Sequence, residues 1–552
     1  VNEVSSIDRF PDSAGNGGRA AGFEIGRVLD IAGSSSQARL DAAMIAALAA
    51  DPDPSIAMGG QVGSQVKMPL GAQWLVANVR SLRSDPSDPD RILAAIDFLG
   101  EGNEDPATGE LTDFRRGVTR YPVPGCPVYP VSSADMRQMY SAADRPHIEV
   151  GTVYPTSDIR GSLFIDAMLG RHFALVGSTG TGKSTSAALI LHKICAMAPE
   201  GHIVMIDPHG EYSAAFKDTG EILNVDNLAM PYWLMNLEEH VEVFVTSDGA
   251  DRQVDTDILA KTLLAARSKN RLAESLGKIT ADSPIPYLLS DLTNIIQLEM
   301  GKMDKAGTSA PYMRLKSKME EIKADPRYSF MFSGLLVADT MQAFLARVLR
   351  MPGNGRPISV IDVSGVPSDI TSVVVAMLAR MVFDFAIWSR GEPQRPILLV
   401  CEEAHRYIPS DRVTTGSAVR KILERIAKEG RKYGVSLGLI TQRPSDLAEG
   451  VLSQCGTIIA MRLNNDRDQA HVRAAMPEGA RGFLDSIPAL RNRECIMVGE
   501  GVSIPIRVAL DTLEPEKRPA SADPLFSELW RTGGDGDQSM GRVIRRWRAQ
   551  GR

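Results

Sequence analysis

Apolar and polar positions follow two different rhythms along this chain, and the change falls near residue 157. From Gly22 to about Pro155, short apolar or alternating runs are cut by clusters of Gly, Pro, Ser and Asp. Examples are Gly26-Arg-Val-Leu-Asp-Ile31, Gln65-Val-Lys-Met68 and Gln73-Trp-Leu-Val-Ala-Asn-Val79. This spacing predicts a small β-barrel or sandwich. Within it, Ala38–Ala50 has no turn residue except Asp41 and reads as a helix. From about Ser157 apolar strands alternate with helical runs, which implies a parallel sheet with crossover helices. The candidate strands are Phe173–Val176, His202–Ile206, Ile358–Val363, Ile397–Cys401, Ser436–Thr441 and Thr457–Arg462. Between the second and third lies a charged stretch with helical periodicity at Ile258–Leu276 and Met313–Ile322, predicting a helical insertion. Beyond a helical patch at Asp468–Ala475, Cys495–Glu500 and Ile504–Val508 predict a closing hairpin.

These rhythms divide the chain into an N-terminal stretch (1–21) poor in apolar residues and predicted disordered, a β-barrel region (22–156), and an α/β core in two parts (157–233 and 351–511). The core is interrupted by the helical insertion (234–350) and succeeded by a C-terminal tail or brace (512–552). A length of 552 residues suits roughly three or four domain-sized units. The tail ends in Gly541-Arg-Val-Ile-Arg-Arg-Trp-Arg-Ala-Gln-Gly-Arg552, with no acid. It reads either as a helix docking on a neighbour or nucleic acid, or as a solvated terminus.

Composition narrows the class. The charged fraction of 23% and the hydrophobic fraction of 43% are those of a soluble globular protein. A net charge of −7 excludes a global basic field, so any nucleic-acid contact is confined to a pore or groove. The five cysteines are scattered without a C-x-x-C pair, which argues against a disulfide framework or zinc site and suits a reducing cytoplasm. The most apolar run, Val373–Ile387, is broken by Arg380 and Asp384 and is expected to be a core helix, not a membrane span.

The chemistry centres on Val176-Gly-Ser-Thr-Gly-Thr-Gly-Lys-Ser-Thr185, which fits G-x-x-x-x-G-K-[ST]. An apolar strand precedes it and a helical run succeeds it, the context a phosphate loop needs. Gly177, Ser178, Thr179, Gly180, Thr181, Gly182 and Thr185 are expected to wrap phosphate oxygens with backbone N–H groups. Lys183 would neutralise the β- and γ-phosphates, and the Ser184 hydroxyl would ligate Mg²⁺. Arg171, just before the strand, is a further candidate for phosphate or for a neighbouring subunit.

A second apolar strand ends in Glu402 and Glu403. Glu402 is expected to hold the Mg²⁺ hydration shell and Glu403 to polarise the water attacking the γ-phosphorus. Gln442, in Ile440-Thr-Gln-Arg-Pro444, stands at the C-terminal end of a strand, where open α/β sheets place ligands. It reads as a γ-phosphate sensor or as a turn residue before proline. Arg431, in Glu429-Gly-Arg-Lys-Tyr-Gly434, leaves a helix through glycine. It reads either as an arginine acting on an adjacent subunit's ATP or as a helix C-cap. Asp207-Pro-His-Gly-Glu-Tyr212 comes after the second core strand and supports either the site or a subunit contact.

Together these motifs resemble the HerA–FtsK group of P-loop ATPases, most closely its HerA branch. Weaker matches are Leu452-Ser-Gln-Cys455 and Val498-Gly-Glu500. The resemblance implies a RecA-like core, an N-terminal HAS-barrel, a helical insertion and a homo-hexameric ring that moves double-stranded DNA with ATP and Mg²⁺. It also implies a partner docked on the ring, a nuclease or an antiphage-defence effector such as a sirtuin-like NAD-consuming enzyme. Glu402 stands where many P-loop enzymes carry Asp. Two other functions compete: an ATP-dependent scaffold that assembles an effector with little translocation, and a secretion- or conjugation-type ATPase.

Overall fold

The computed structural model describes residues 23–142, 145–302, 309–333, 337–410, 417–476, 481–520, 526–531 and 537–549. The stretch expected to be disordered lies outside them. The chain divides into two compact units, the first built from residues 1–164, 460–464 and 476–511, the second from 165–459, 465–475 and 512–552.

The first unit holds β1 (Gly26–Ala32), β2 (Ser35–Asp41), β3 (Gln65–Leu70), β4 (Gln73–Asp85), β5 (Asp88–Glu104), β6 (Leu111–Arg116) and β7 (Pro127–Pro130). They pair in the order β2-β1-β7-β3-β4-β5-β6, and β2 also pairs antiparallel with β5, so six of the strands close on themselves. Inside lie Ile25, Val28, Ala38, Leu40, Met68, Leu75, Val79 and Ile96, at most 1% exposed. Register shifts in β4 between Val76 and Ala77, and between Val79 and Ser81, mark the bulges that let long strands curve.

One expectation is corrected here. Ala38–Asp41 is strand, not helix, because Ser36, Ala38 and Leu40 alternate inward with Gln37 and Arg39 facing out. The helix starts only at Ala42, where the Asp41 carboxylate accepts from the backbone N–H of Ala43 and Met44.

Two further strands, β8 (His147–Val153) and β9 (Arg160–Phe164), also belong to the first unit. The second unit contributes β10 (Phe173–Val176), β11 (Ile203–Asp207), β12 (Gly220–Leu223), β13 (Ile358–Asp362), β14 (Ile397–Cys401) and β15 (Val435–Thr441), then the first three residues of β16 (Thr457–Met461). Next comes the hairpin of β17 (Glu494–Gly499) and β18 (Ile506–Leu510). Residues 476–511, read from the sequence as core, cluster with the first unit because β18 pairs with β8 and Asp511 binds Arg160 at 2.5 Å.

In the second unit the strand order is β12-β13-β11-β14-β15-β10-β16. Every pairing from β12 to β10 is parallel. Strands β10, β11, β14 and β15 are buried along their whole length, as a sheet covered on both faces requires. β15 separates the phosphate-loop strand β10 from the acid-tipped β14, the arrangement of a RecA-like core. The helix Thr371–Trp388 is the one among the described residues long and apolar enough to cross a membrane. Val374, Val375, Met377, Leu378, Val382 and Phe383 in it are fully buried.

The interruption between β12 and β13 is helical, with helices at Leu237–Phe244, Gly249–Arg267, Leu289–Gly301, Ala310–Ala324 and Met341–Val348. Buried polar groups tie them together. Arg380 reaches Glu239 at 2.7 and 3.0 Å, and Arg267 donates to the carbonyls of Trp233 and Met235 at 3.1 and 2.7 Å. His240 is fully buried; its Nδ1 donates to the Asn236 carbonyl at 2.7 Å, so its Nε2 accepts from the Tyr287 hydroxyl at 2.7 Å.

Burial, with Arg267 and Arg380 nearby, pushes His240 down to about 3. The folded value lies below that of an exposed imidazole, so the unfolded chain takes up the proton first as pH falls. Stability contributed here is present above about pH 6.5 and is lost on acidification, by about 2 kcal/mol at pH 5. His240→Gln should flatten the decline in urea stability between pH 7 and pH 5 by that amount. An unchanged slope would show that the imidazole is not held neutral.

Candidate active site

Parallel pairing decides which residues meet. Val176 stands opposite Thr441, and Cys401 opposite Leu439, so the segments leaving β10, β14 and β15 emerge along one edge of the sheet. Past Val176 the chain turns through Gly177–Gly182 and enters the helix Lys183–Met197. Gly180 and Gly182 have φ of 78° and 92°, conformations a side chain resists, and they let the loop close into a cradle. The loop is braced from inside: the Thr181 hydroxyl, fully buried, donates to the Ser178 carbonyl at 2.8 Å. The Gly177 N–H donates to the Thr441 carbonyl at 3.3 Å.

Lys183 is 8% exposed, with its Nζ 3.3 Å from Glu402 Oε1 and 3.5 Å from Glu403 Oε1. One ammonium thus serves two buried carboxylates. Burial and the neighbouring Glu403 charge push Glu402 up to about 7, against the pull of Lys183. Glu403 sits at φ 50°, a left-handed conformation uncommon outside glycine, and its Oε2 is buried without a hydrogen bond. His405 Nδ1 lies 3.2 Å from that oxygen, while also lying 3.1 Å from Thr441 Oγ1. Burial holds His405 below the ordinary imidazole value although Glu403 favours its charged form.

Gln442 is brought to the loop, accepting through Oε1 from the Thr179 hydroxyl at 2.5 Å. The role of Asp207–Tyr212 was open in the sequence, and the structure gives it a contact. The Tyr212 hydroxyl, fully buried, donates to Glu402 Oε2 at 3.0 Å. No spacing rule marks that tyrosine; only the strand order, with β11 beside β14, brings it to the acid.

Arg171 and Arg431 are not brought to this edge. Both precede their strands, so each lies at the N-terminal end of the sheet. Arg431 is exposed on the turn Gly430–Tyr433, separated from Gln442 by all seven residues of β15, about 20 Å. Arg171 lies across β10 from the loop, with its carbonyl accepting from the Gly456 N–H at 2.7 Å. Contact between Arg171 and phosphate in the same chain is therefore corrected: the strand is longer than the side chain.

The residues fit a magnesium nucleotide. The cradle offers backbone donors and an ammonium to phosphates, and Ser184 and Glu402 offer oxygen ligands. Among the described residues no group of three or more acidic, His or Cys side chains could hold a metal by itself. An ion here would take most of its ligands from phosphate and water, as Mg²⁺ does beside nucleotides.

This sheet, cradle and pair of acids define a P-loop ATPase. The family described as the central domain of the helicase HerA matches residues 148–382 of this chain. Over 494 residues it is 27% identical to the DNA double-strand break repair helicase HerA of Pyrococcus furiosus, covering 82% of this chain and 85% of that one. Over 415 residues it is 25% identical to the protein of the same name from Sulfolobus acidocaldarius, covering 74% and 77%. Among solved structures, VirB4 of Thermoanaerobacter pseudethanolicus superposes with a TM-score of 0.48 at 15% identity, over 66% of this chain and 97% of that one.

Replacing Gly182 by Ala puts a side chain at φ 92° and costs roughly 1–2 kcal/mol locally. Fluorescent-nucleotide titration should show binding weakened about tenfold or more. Wild-type affinity in that variant would mean the loop does not need its left-handed turn.

Proposed function

We propose that this chain is an ATP-driven motor that acts on double-stranded DNA as a homo-hexameric ring, with ATP and Mg²⁺ held between neighbouring subunits. The single observation carrying this reading is the separation of Arg431 from its own phosphate loop by the length of β15, while its side chain is exposed. A cation so placed is free to complete the site of an adjacent copy. The HerA relatives, named as DNA double-strand break repair helicases, support DNA as the track.

In this mechanism Lys183 leaves the two carboxylates for the incoming phosphates. Mg²⁺, bound by Ser184 and through Glu402, would screen charge on the β- and γ-phosphates. Glu403, released from Lys183, accepts the proton of the attacking water through Oε2, which makes no hydrogen bond and has His405 Nδ1 3.2 Å away. Gln442 exchanges its bond with Thr179 for contact with the γ-phosphate and reports occupancy to β15. Arg431 of the adjacent subunit neutralises charge on the transferring phosphoryl group. A nuclease or defence effector docks on the ring.

The test is steady-state ATPase with and without double-stranded DNA over a salt series. Stimulation that falls steeply with salt is the expected outcome, because cations gripping phosphates release counterions. Absence of stimulation, together with full effector activation by Glu403→Gln, would favour the scaffold. Glu403→Gln should bind ATP normally and lose about 10²–10⁴-fold in turnover.

Arg431→Ala should lose about 10³-fold or more in a correctly assembled ring. Mixed with Lys183→Ala, it should recover part of the activity, because an intact loop then meets an intact arginine at some seams. Two inactive variants that stay inactive when mixed would remove the assignment between subunits.

A further inference from the structure

The groups proposed to attend the cation come from distant parts of the chain, Ser184 after the phosphate loop and Glu402 after β14. A third residue holds the acid. Tyr212 is fully buried and its hydroxyl donates to Glu402 Oε2 at 3.0 Å. That phenol occupies Oε2 and leaves Oε1, now on Lys183, as the oxygen that changes partner.

The tyrosine is itself held. Its backbone N–H donates to Asp207 Oδ2 at 2.8 Å, while Asp207 Oδ1 accepts from the N–H of His209 and Gly210 at 3.1 and 2.9 Å. Asp207 is the last residue of β11, whose neighbour β14 delivers Glu402, with Ile206 opposite Cys401. The turn that carries Tyr212 is thus fastened to the strand beside the acid. The His209 side chain is exposed and takes no part.

We propose that Tyr212, clamped by Asp207, is the positioning residue that sets Glu402 for the divalent cation accompanying the nucleotide. This rests on the ATPase reading above. Tyr212→Phe keeps the ring and removes only the oxygen. Fluorescently labelled ADP is titrated onto the full chain with EDTA, and then over a MgCl₂ series. The variant should bind ADP in EDTA within about twofold of wild type, and its Mg²⁺ midpoint should rise about tenfold or more, the worth of a hydrogen bond to a charged group.

In a Glu402→Gln background the same change should add little, since the effect passes through that carboxylate. A wild-type midpoint, equal losses with and without Mg²⁺, or full additivity with Glu402→Gln would each overturn the proposal. Should Tyr212→Phe not fold, Asp207→Asn keeps the phenol while loosening its clamp, and it must raise the midpoint in the same direction; an unchanged midpoint there also overturns it. If the wild-type chain bound no nucleotide, the ATPase reading itself would fall, an outcome distinct from a tyrosine that proves idle.

Discussion

One buried ammonium shared by two buried carboxylates is the interaction on which the site depends. Lys183, Glu402 and Glu403 lie where water is scarce, and the count of charges is uneven. Burying a carboxylate beside another is costly, and Glu402 answers by moving up to about 7. The arrangement is tolerable without nucleotide because the lysine stands between the acids. Phosphates that compete for that lysine would leave the two acids without it, and a cation arriving with them would restore the positive charge.

Around this trio the fold spends conformational strain in a few places. Gly180 and Gly182 take left-handed conformations cheaply, whereas Glu403 takes one at φ 50° with a full side chain. Such a residue persists only where its surroundings over-determine it. Here the surroundings are β14, the short helical turn Ala404–Arg406 just after it, and the Lys183 contact. The left-handed turn keeps both carboxylates of consecutive residues near one ammonium, which an extended strand would not do, since its successive side chains point to opposite faces.

Much of this was legible in the residues themselves. Phe173–Val176 and Ile397–Cys401 are apolar runs bounded by glycine or acid, and they are strands with those bounds. The phosphate loop and the acid pair are local signals, since a glycine spacing or a strand tip is written in consecutive residues. The helical insertion also showed its period. Where tertiary pairing competes with local preference the reading failed: Ala38–Asp41 looks helical by composition but is held as strand by the pairing of β2 with β1 and β5. Gly220–Leu223 was missed because Gly-Glu-Ile-Leu, unlike Phe173–Val176, is not a continuous apolar run.

Sequence alone thus determined the kind of chemistry, since a cradle for phosphate and a pair of acids are properties of short segments. Which groups touch was decided by the sheet. Strand order brings Tyr212 onto Glu402 and Gln442 onto Thr179, and strand direction carries Arg171 and Arg431 to the far end. The reason is geometric: parallel strands gather their C-terminal loops at one edge and their N-terminal loops at the other, and neither the order nor the direction of distant strands is encoded in any single stretch of residues.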